Sequence, residues 1–437
     1  MRIAPTISSY FETEFWDSLL LQASHVEPAV SHALVALSSL YEGHELNRTH
    51  PGPINTSAAE FNARFALEQY TKAIGLLTSN NSTNQPSWQG ILISCILFVW
   101  IEFLQGNADT ALYHLRGGIQ VLRDLQQRSS IPNIDPSLLR LFRRLHTQAS
   151  LHGSPTSDFN STVSEEHVNL GYQVPQTFSS IFEARESMDT TLHFIFCFMR
   201  RMYSHEFVAS TMIRHPFPDP NSLEATVQHH LNNLQRWQIA FQRIPFLTAD
   251  PPEGNQAAGI TLLQLQHVAV TVMLKSLLER SEMAYDQYKP DFKLMVSLAE
   301  SLINNSQHGG LLVLSLDNGV ILPLFMVALK CRYLDIRKRA ITLLKQAPER
   351  EGICQRDSCV EFAEWKMQME ERRRGVLPET EPLPEMARIT SERGREAIIE
   401  GKLVTMVRFK RGLADRIGEN EFEEEITTLG VKWGELL

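Results

Sequence analysis

The 437-residue chain has only five cysteines, Cys95, Cys197, Cys331, Cys354 and Cys359. Their number is odd and most stand alone in apolar or helical surroundings, which excludes a disulfide framework and suits a reducing compartment. Nor is positive charge in excess: 41 Lys and Arg face 50 Asp and Glu, for a formal charge of -9. That balance argues against broad attraction to phosphate backbones or anionic lipid. Met1 to Tyr10 holds one arginine and no apolar core of the length an export signal needs. The most apolar window, Ile91 to Leu104, is interrupted by Ser94 and Glu102 and is shorter than the ~20 residues that cross a bilayer. A buried helix is expected there, and no membrane partner.

Catalytic signatures are also missing. Gly-x-Ser-x-Gly, Gly-x-x-x-x-Gly-Lys-Ser/Thr, Gly-x-Gly-x-x-Gly and His-Glu-x-x-His do not occur. An enzyme is therefore not expected: no catalytic residue is assigned, no metal ligand and no cofactor. Adjacent residues on a helix face different ways, so His229 and His230 read as surface and boundary residues unable to chelate one ion. Cys354 and Cys359 lack the second ligand pair of a tetrahedral zinc site and read as small packed thiols.

What the chain has in abundance is helical periodicity, with 43% hydrophobic residues against 21% charged. Phe15, Leu19, Val26, Val30, Leu34 and Leu37 recur at helical intervals, and Ser24 to Glu27 with Pro28 predicts a joint between two helices. Further helices are predicted over 58–77, 88–104, 109–125 and 138–150, those at 88–104 and 109–125 forming an αα-hairpin about Gly106-Asn107. The polar segment 153–175 reads as an exposed connection. Helices resume over 182–211, 223–244, 259–285, 294–305, 320–334, 336–346 and 359–374, and the run Leu192 to Met199 is too apolar to lie anywhere but inside.

The tail differs. After a proline-bearing linker at 375–384, Leu403, Thr405, Val407 and Phe409 alternate, as do Phe422, Glu424, Ile426 and Thr428, which predicts a β-hairpin packed on the helices. The expected fold is mainly α, a multi-helix bundle of antiparallel helix pairs with a small C-terminal β-hairpin, divided into a helical domain at 1–374 and the linker and hairpin at 375–437. Arg372-Arg373-Arg374 reads as a solvated helix end before a nuclear import signal, and the acidic run Glu419 to Glu425 as the outer face of the hairpin before an activation patch.

Several blocks then carry a resemblance. Phe15-Trp16-Asp17-Ser18-Leu19-Leu20-Leu21-Gln22 through Glu27-Pro28-Ala29-Val30 and His32 to Leu37 closely resembles the opening of the regulatory domain of fungal zinc-cluster (Zn2Cys6) transcription factors. Phe65-Ala66-Leu67-Glu68-Gln69-Tyr70 with Lys72-Ala73-Ile74 is similar to a second block, whose tyrosine and alanine face the core. Cys95 to Asn107 with Ala111, Leu112, His114, Leu115 and Gly118 resembles a third, and Leu141 to Leu145 with Thr147 to Ala149 a fourth. Pro323 to Arg332, continuing through Ile336, Arg337 and Leu343 to Gly352, resembles a fifth. Each block alone is a moderately specific apolar pattern, and their shared order makes the case. Glu102, His114 and Arg332, polar groups on these apolar helices, must find partners if buried, and read as satisfied core residues before effector ligands.

The resemblance implies a nuclear regulatory module controlling metabolic genes. Its implied partners are proteins of the transcription machinery, a second copy in a homodimer and a small-molecule effector. The family contacts DNA through six cysteines on two zinc ions, whereas here no cysteine precedes Cys95, so the expectation is no direct DNA binding by this chain. A shortened product or a regulator working through partners would fit. The rival expectation is a helical scaffold without a transcriptional role, although no repeat of fixed period supports one.

Overall fold

Glu27 is the first break in the helical chain among the described residues. Its backbone is extended, ending one helix and letting Pro28 open the next, where a missing N–H costs nothing. The computed structural model describes residues 15–49, 53–79, 86–127, 134–151, 172–209, 220–244, 255–279, 281–307, 314–315, 318–399, 402–412 and 423–427. The chain divides into two compact units, residues 1–149 with 156–164, and residues 150–155 with 165–437.

In the first unit, a π-helical turn at Phe15–Leu19 leads into α1 (Leu20–Val26) and α2 (Pro28–Thr49), and α3 (Pro53–Thr78) packs along α2. Phe15 and Trp16 meet edge to face at 5.1 Å, both almost wholly buried. Helix α4 (Trp88–Leu104) is apolar nearly all round and accordingly interior, its N-terminus capped by Ser87 Oγ, which accepts the Gly90 N–H at 3.0 Å. It ends at Gly106, whose φ of 78° lies in the left-handed region. There the Asn107 N–H reaches the Glu102 carbonyl at 2.9 Å and the Gly106 N–H the Phe103 carbonyl at 3.1 Å, a Schellman closure. Helix α5 (Ala108–Gln126) returns with Ala111, Leu112 and Leu115 buried, and α6 (Pro136–Leu151) lays Phe142 on Gly118, where a Cβ would stand 2.4 Å from the ring.

The second unit holds α7 (Ile181–Ala209), α8 (Pro220–Gln242), α9 (Asn255–Ser276), α10 (Lys289–Gln307), α11 (Ile321–Lys330), α12 (Leu334–Leu344) and α13 (Arg356–Glu371). Trp237 ties three of them together. Its indole N–H donates to the Ala184 carbonyl of α7 at 2.9 Å, and its ring stacks on His267 of α9 at 5.5 Å. Residues 256–276 are long and apolar enough to cross a bilayer, yet 61% of that window is buried inside the protein, as befits a core helix.

Two small sheets complete the unit. β1 (Leu314–Ser315) runs parallel to β2 (Arg350–Glu351), which pairs antiparallel with β3 (Cys354–Gln355). At the C-terminus β4 (Ile389–Ile399), β5 (Lys402–Arg411) and β6 (Glu423–Thr427) form an antiparallel sheet in that order. The expected pairing of the last two strands is present, with Met406 opposite Ile426. The first strand was not anticipated, because Ser391-Glu392-Arg393-Gly394-Arg395-Glu396 carries no apolar alternation. Val407 and Phe409, two residues apart and on one face, are both buried, and Phe409 meets Trp365 of α13 edge to face at 5.7 Å. Phe422, Thr428 and the acidic residues 419–422 lie outside the described residues.

Three sequence expectations need correction. The helix anticipated over 259–285 stops at Ser276, and Glu282–Tyr288 forms a 3-10 turn, started by Ser281 Oγ accepting the Met283 N–H and held from outside by ion pairs. Arg374 is not solvated: its guanidinium donates to the carbonyls of Pro378 and Glu381 at 2.9 and 2.8 Å, fastening the linker to the end of α13. His230 is core rather than boundary, packed on the Phe198 ring at 5.5 Å.

Candidate functional site

Within the second unit, α7, α9 and α11 border a half-open cavity of about 410 Å³. The apolar run of α7 contributes Leu192, Phe196 and Met199, α9 contributes Val270 and Met273, and α11 contributes Leu322, Phe325, Met326 and Leu329. Three thioethers on three different helices give the wall a deformable surface. Polar groups interrupt it at defined points. The Gln266 Nε2 donates to the Asn318 backbone carbonyl at 2.8 Å, so the amide orientation is set and Oε1 is left over. Gln266 Oε1, Asn318 Oδ1 and Thr390 Oγ1 are buried without a hydrogen-bond partner. The entry to α11 is held rigidly, because the buried Glu351 carboxylate accepts the N–H groups of Gly319, Val320 and Ile321 at 3.0, 3.0 and 2.8 Å.

One side of the cavity is charged. Glu282 pairs with Lys330 at 2.6 Å and with Arg332 at 3.3 Å, both groups of the first pair lining the space. Burial alone would raise the Glu282 carboxyl, but Lys330, Arg332 and Lys366 outweigh it and bring it down to about 2. Behind this pair, Arg332 and Arg337 donate to the two oxygens of Glu370 at 2.9 and 2.7 Å, all three side chains fully buried. Glu370 also accepts the Ile389 N–H at 2.8 Å, at the entry to β4. Desolvation pushes this carboxyl upward, yet Arg332, Arg337, Lys366 and the Ile389 amide hold it below the usual carboxylate range. Arg388, the residue before β4, donates to Asp286 Oδ2 at 2.5 Å and to the Glu282 carbonyl at 2.8 Å, so the 3-10 turn is cross-linked twice to the entry of the C-terminal sheet. Each carboxylate of this network is paired with at least one cation.

Arg332 thus has partners, and so do Glu102 and His114 in the first unit. Tyr70 Oη donates to Glu102 Oε1 at 2.7 Å and lies 2.7 Å from His114 Nε2, while Asn107 Nδ2 donates to Glu102 Oε2 at 2.9 Å. Burial, then the Glu102 hydrogen bond and charge, raise the Tyr70 phenol, so it stays a donor; burial lowers His114. Cys354 and Cys359 do not form a metal site with further ligands among the described residues, and burial pushes the Cys354 thiol up to about 12. Sequence reasoning passed over Gln266, Asn318, Thr390, Glu282 and Glu370. The one available signal was Gln266, a polar residue inside the apolar stretch Leu262-Leu263-Gln264-Leu265-Gln266-His267-Val268.

Comparison with known proteins decides the family. Residues 1–351 match the fungal specific transcription factor domain. The chain belongs to that family. In this domain the resembling blocks fall on α1 to α6 and on α11 and α12, and the fifth block supplies the cavity wall from Pro323 to Lys330. Over 300 residues the chain is 26% identical to the aspercryptin biosynthesis cluster-specific transcription regulator atnN of Emericella nidulans, covering 65% of this chain and 46% of that protein. It is 30% identical over 117 residues to the transcription regulator lscL of Purpureocillium lilacinum, covering 26% of this chain and 27% of that protein. The matched region is thus less than half the length of either relative. No solved structure matches the chain.

Proposed function

We propose that this chain is a nuclear regulatory module that controls a set of metabolic genes by contact with other proteins and by response to a small effector, without catalysis. The observation that carries the reading is the cavity of about 410 Å³ inside a domain of the transcription-factor family, one side of which is a network of ion pairs. The name of one relative, a regulator specific to a biosynthesis cluster, supports a dedicated metabolic gene set as the target. A regulatory body needs two states that a ligand or partner binds unequally. The cross-links from Glu282 and Glu370 to the C-terminal sheet provide a candidate element for that difference.

DNA contact by this chain falls outside the proposal. A two-zinc cluster requires six thiolates, and the chain has five cysteines spread from Cys95 to Cys359. The test is deletion of the gene followed by transcript sequencing and complementation by a fluorescent fusion of the full chain. Loss and restoration of a discrete metabolic gene set, with nuclear fluorescence, is the expected result. An unchanged transcript profile overturns the reading.

A further inference from the structure

Helix α3 shows the solvent more than its packing requires. Ala59, Ala66, Tyr70 and Ala73 are buried and mark the side of the helix that the first unit uses. On the opposite side Ser57, Phe61, Arg64, Glu68, Thr71 and Gly75 follow one another at alternating steps of four and three, and all six are exposed. That spacing is the seam along which two helices interlock. Phe61 is 69% exposed and Leu67, flanking the seam, 54%, so apolar surface in the first unit is left in water on this face.

We propose that this seam pairs antiparallel with the same seam of a second copy of the chain. A twofold interface requires a surface that complements itself, and this one does. With the axis level with Ala66, Arg64 lies opposite the partner's Glu68 and Glu68 opposite the partner's Arg64, so opposite charges meet in two layers. Phe61 then faces the small side chain of the partner's Thr71, and Ser57 faces the partner's Gly75. Space is open there, since nothing stands within 4 Å of a Cβ built on Gly75. Charge also fixes the register: moving the axis to Glu68 would set Arg64 against the partner's Lys72 and Glu68 against itself. Within one chain Arg64 and Glu68 stand 3.7 Å apart and are 84% and 57% exposed, an arrangement that stabilises the helix little and leaves both charges reachable. From Ser57 to Gly75 the seam runs about 27 Å. A contact confined to one such helix face falls below the ~1,200 Å² of stable complexes, so the dimer is reversible, with a Kd on the order of 10 μM.

Sedimentation velocity of the full chain from about 1 to about 100 μM, a range that brackets this Kd, tests the pairing. The wild type should pass from monomer to dimer. Arg64→Glu alone and Glu68→Arg alone each put like charges into two layers and should weaken the dimer at least about tenfold. Both positions are exposed, so circular dichroism and the melting temperature should stay close to those of the wild type. An equimolar mixture of the two variants sets an acidic seam against a basic one and should recover the dimer as a mixed species. Phe61→Ala, which leaves every charge in place, should weaken it as well. A wild type that is monomeric at the highest concentration, single variants that dimerise as the wild type does, or a mixture as monomeric as its components would each overturn the pairing. These measurements read mass and not transcription, so the dimer can fail while the regulatory reading stands, and the deletion experiment can fail while the chain pairs.

Discussion

Glu370 accepts the backbone N–H of Ile389 at 2.8 Å, across nineteen residues of chain, while the same carboxylate holds two buried arginines. One side chain therefore joins the end of α13, the α11–α12 connection and the first residue of the C-terminal sheet. An isolated small sheet is marginal in water, so this anchor and the Phe409–Trp365 contact explain how it keeps its place.

Replacing Glu370 by Gln should destabilise the second unit by roughly 3–5 kcal/mol, because Arg332 and Arg337 lose the charge that offsets their burial. Urea unfolding followed by tryptophan fluorescence measures the change, and hydrogen exchange at Ile389 should rise with it. A loss below about 1 kcal/mol would show that the network is replaceable.

Acid should weaken the protein in two stages. Burial, followed by the neighbouring His229, lowers His230 from 6.5 to about 4. The unfolded chain therefore takes up a proton that the folded chain refuses between these values, and stability falls as pH drops from about 6.5 to 4. Glu282 acts lower down: its carboxyl sits near 2 instead of 4.5, so its contribution is complete above 4.5 and disappears as pH falls towards 2. His230→Leu should make the upper part of a melting-temperature profile against pH less steep, the buried His114 and His267 keeping the rest, and leave the lower part in place.

Tyr70→Phe removes the hydroxyl that serves both Glu102 and His114. A buried carboxylate left short of a donor should cost about 1–3 kcal/mol, seen in thermal unfolding of the first unit. Phe98, 5.0 Å away, packs on the ring in either case, so loss of apolar contact does not confuse the result.

Gly106→Ala should cost about 1 kcal/mol, since the φ of 78° penalises any Cβ while nothing nearby obstructs it. Gly319→Ala tests the opposite situation. A Cβ there would lie 2.3 Å from the Glu351 carboxylate that caps α11, so the cap must shift and the melting temperature should fall further than for Gly106→Ala.

Purified chain titrated with duplex DNA at physiological salt should show no sequence-specific complex, measurable by anisotropy. A tight specific complex would mean that some surface other than a cysteine cluster reads bases.

Local physics explains why so much was readable in advance. The all-apolar face of 88–104, the Gly106-Asn107 break and the Glu27-Pro28 joint depend on side chains within one turn of each other, and the helices lie there. The alternation of Val407 and Phe409 likewise marked a strand with one buried face. β4 escaped notice because its polar centre gains its order from pairing with β5, a partner not encoded in its own period. The cavity and its charged wall depend on contacts between residues far apart in the chain. Gln266 meets Asn318 and Arg332 meets Glu370 only after α9, α11 and α13 have packed. Composition and periodicity specify which faces seek the interior; which polar atoms end up satisfied there, and which remain bare, follows from how those faces meet.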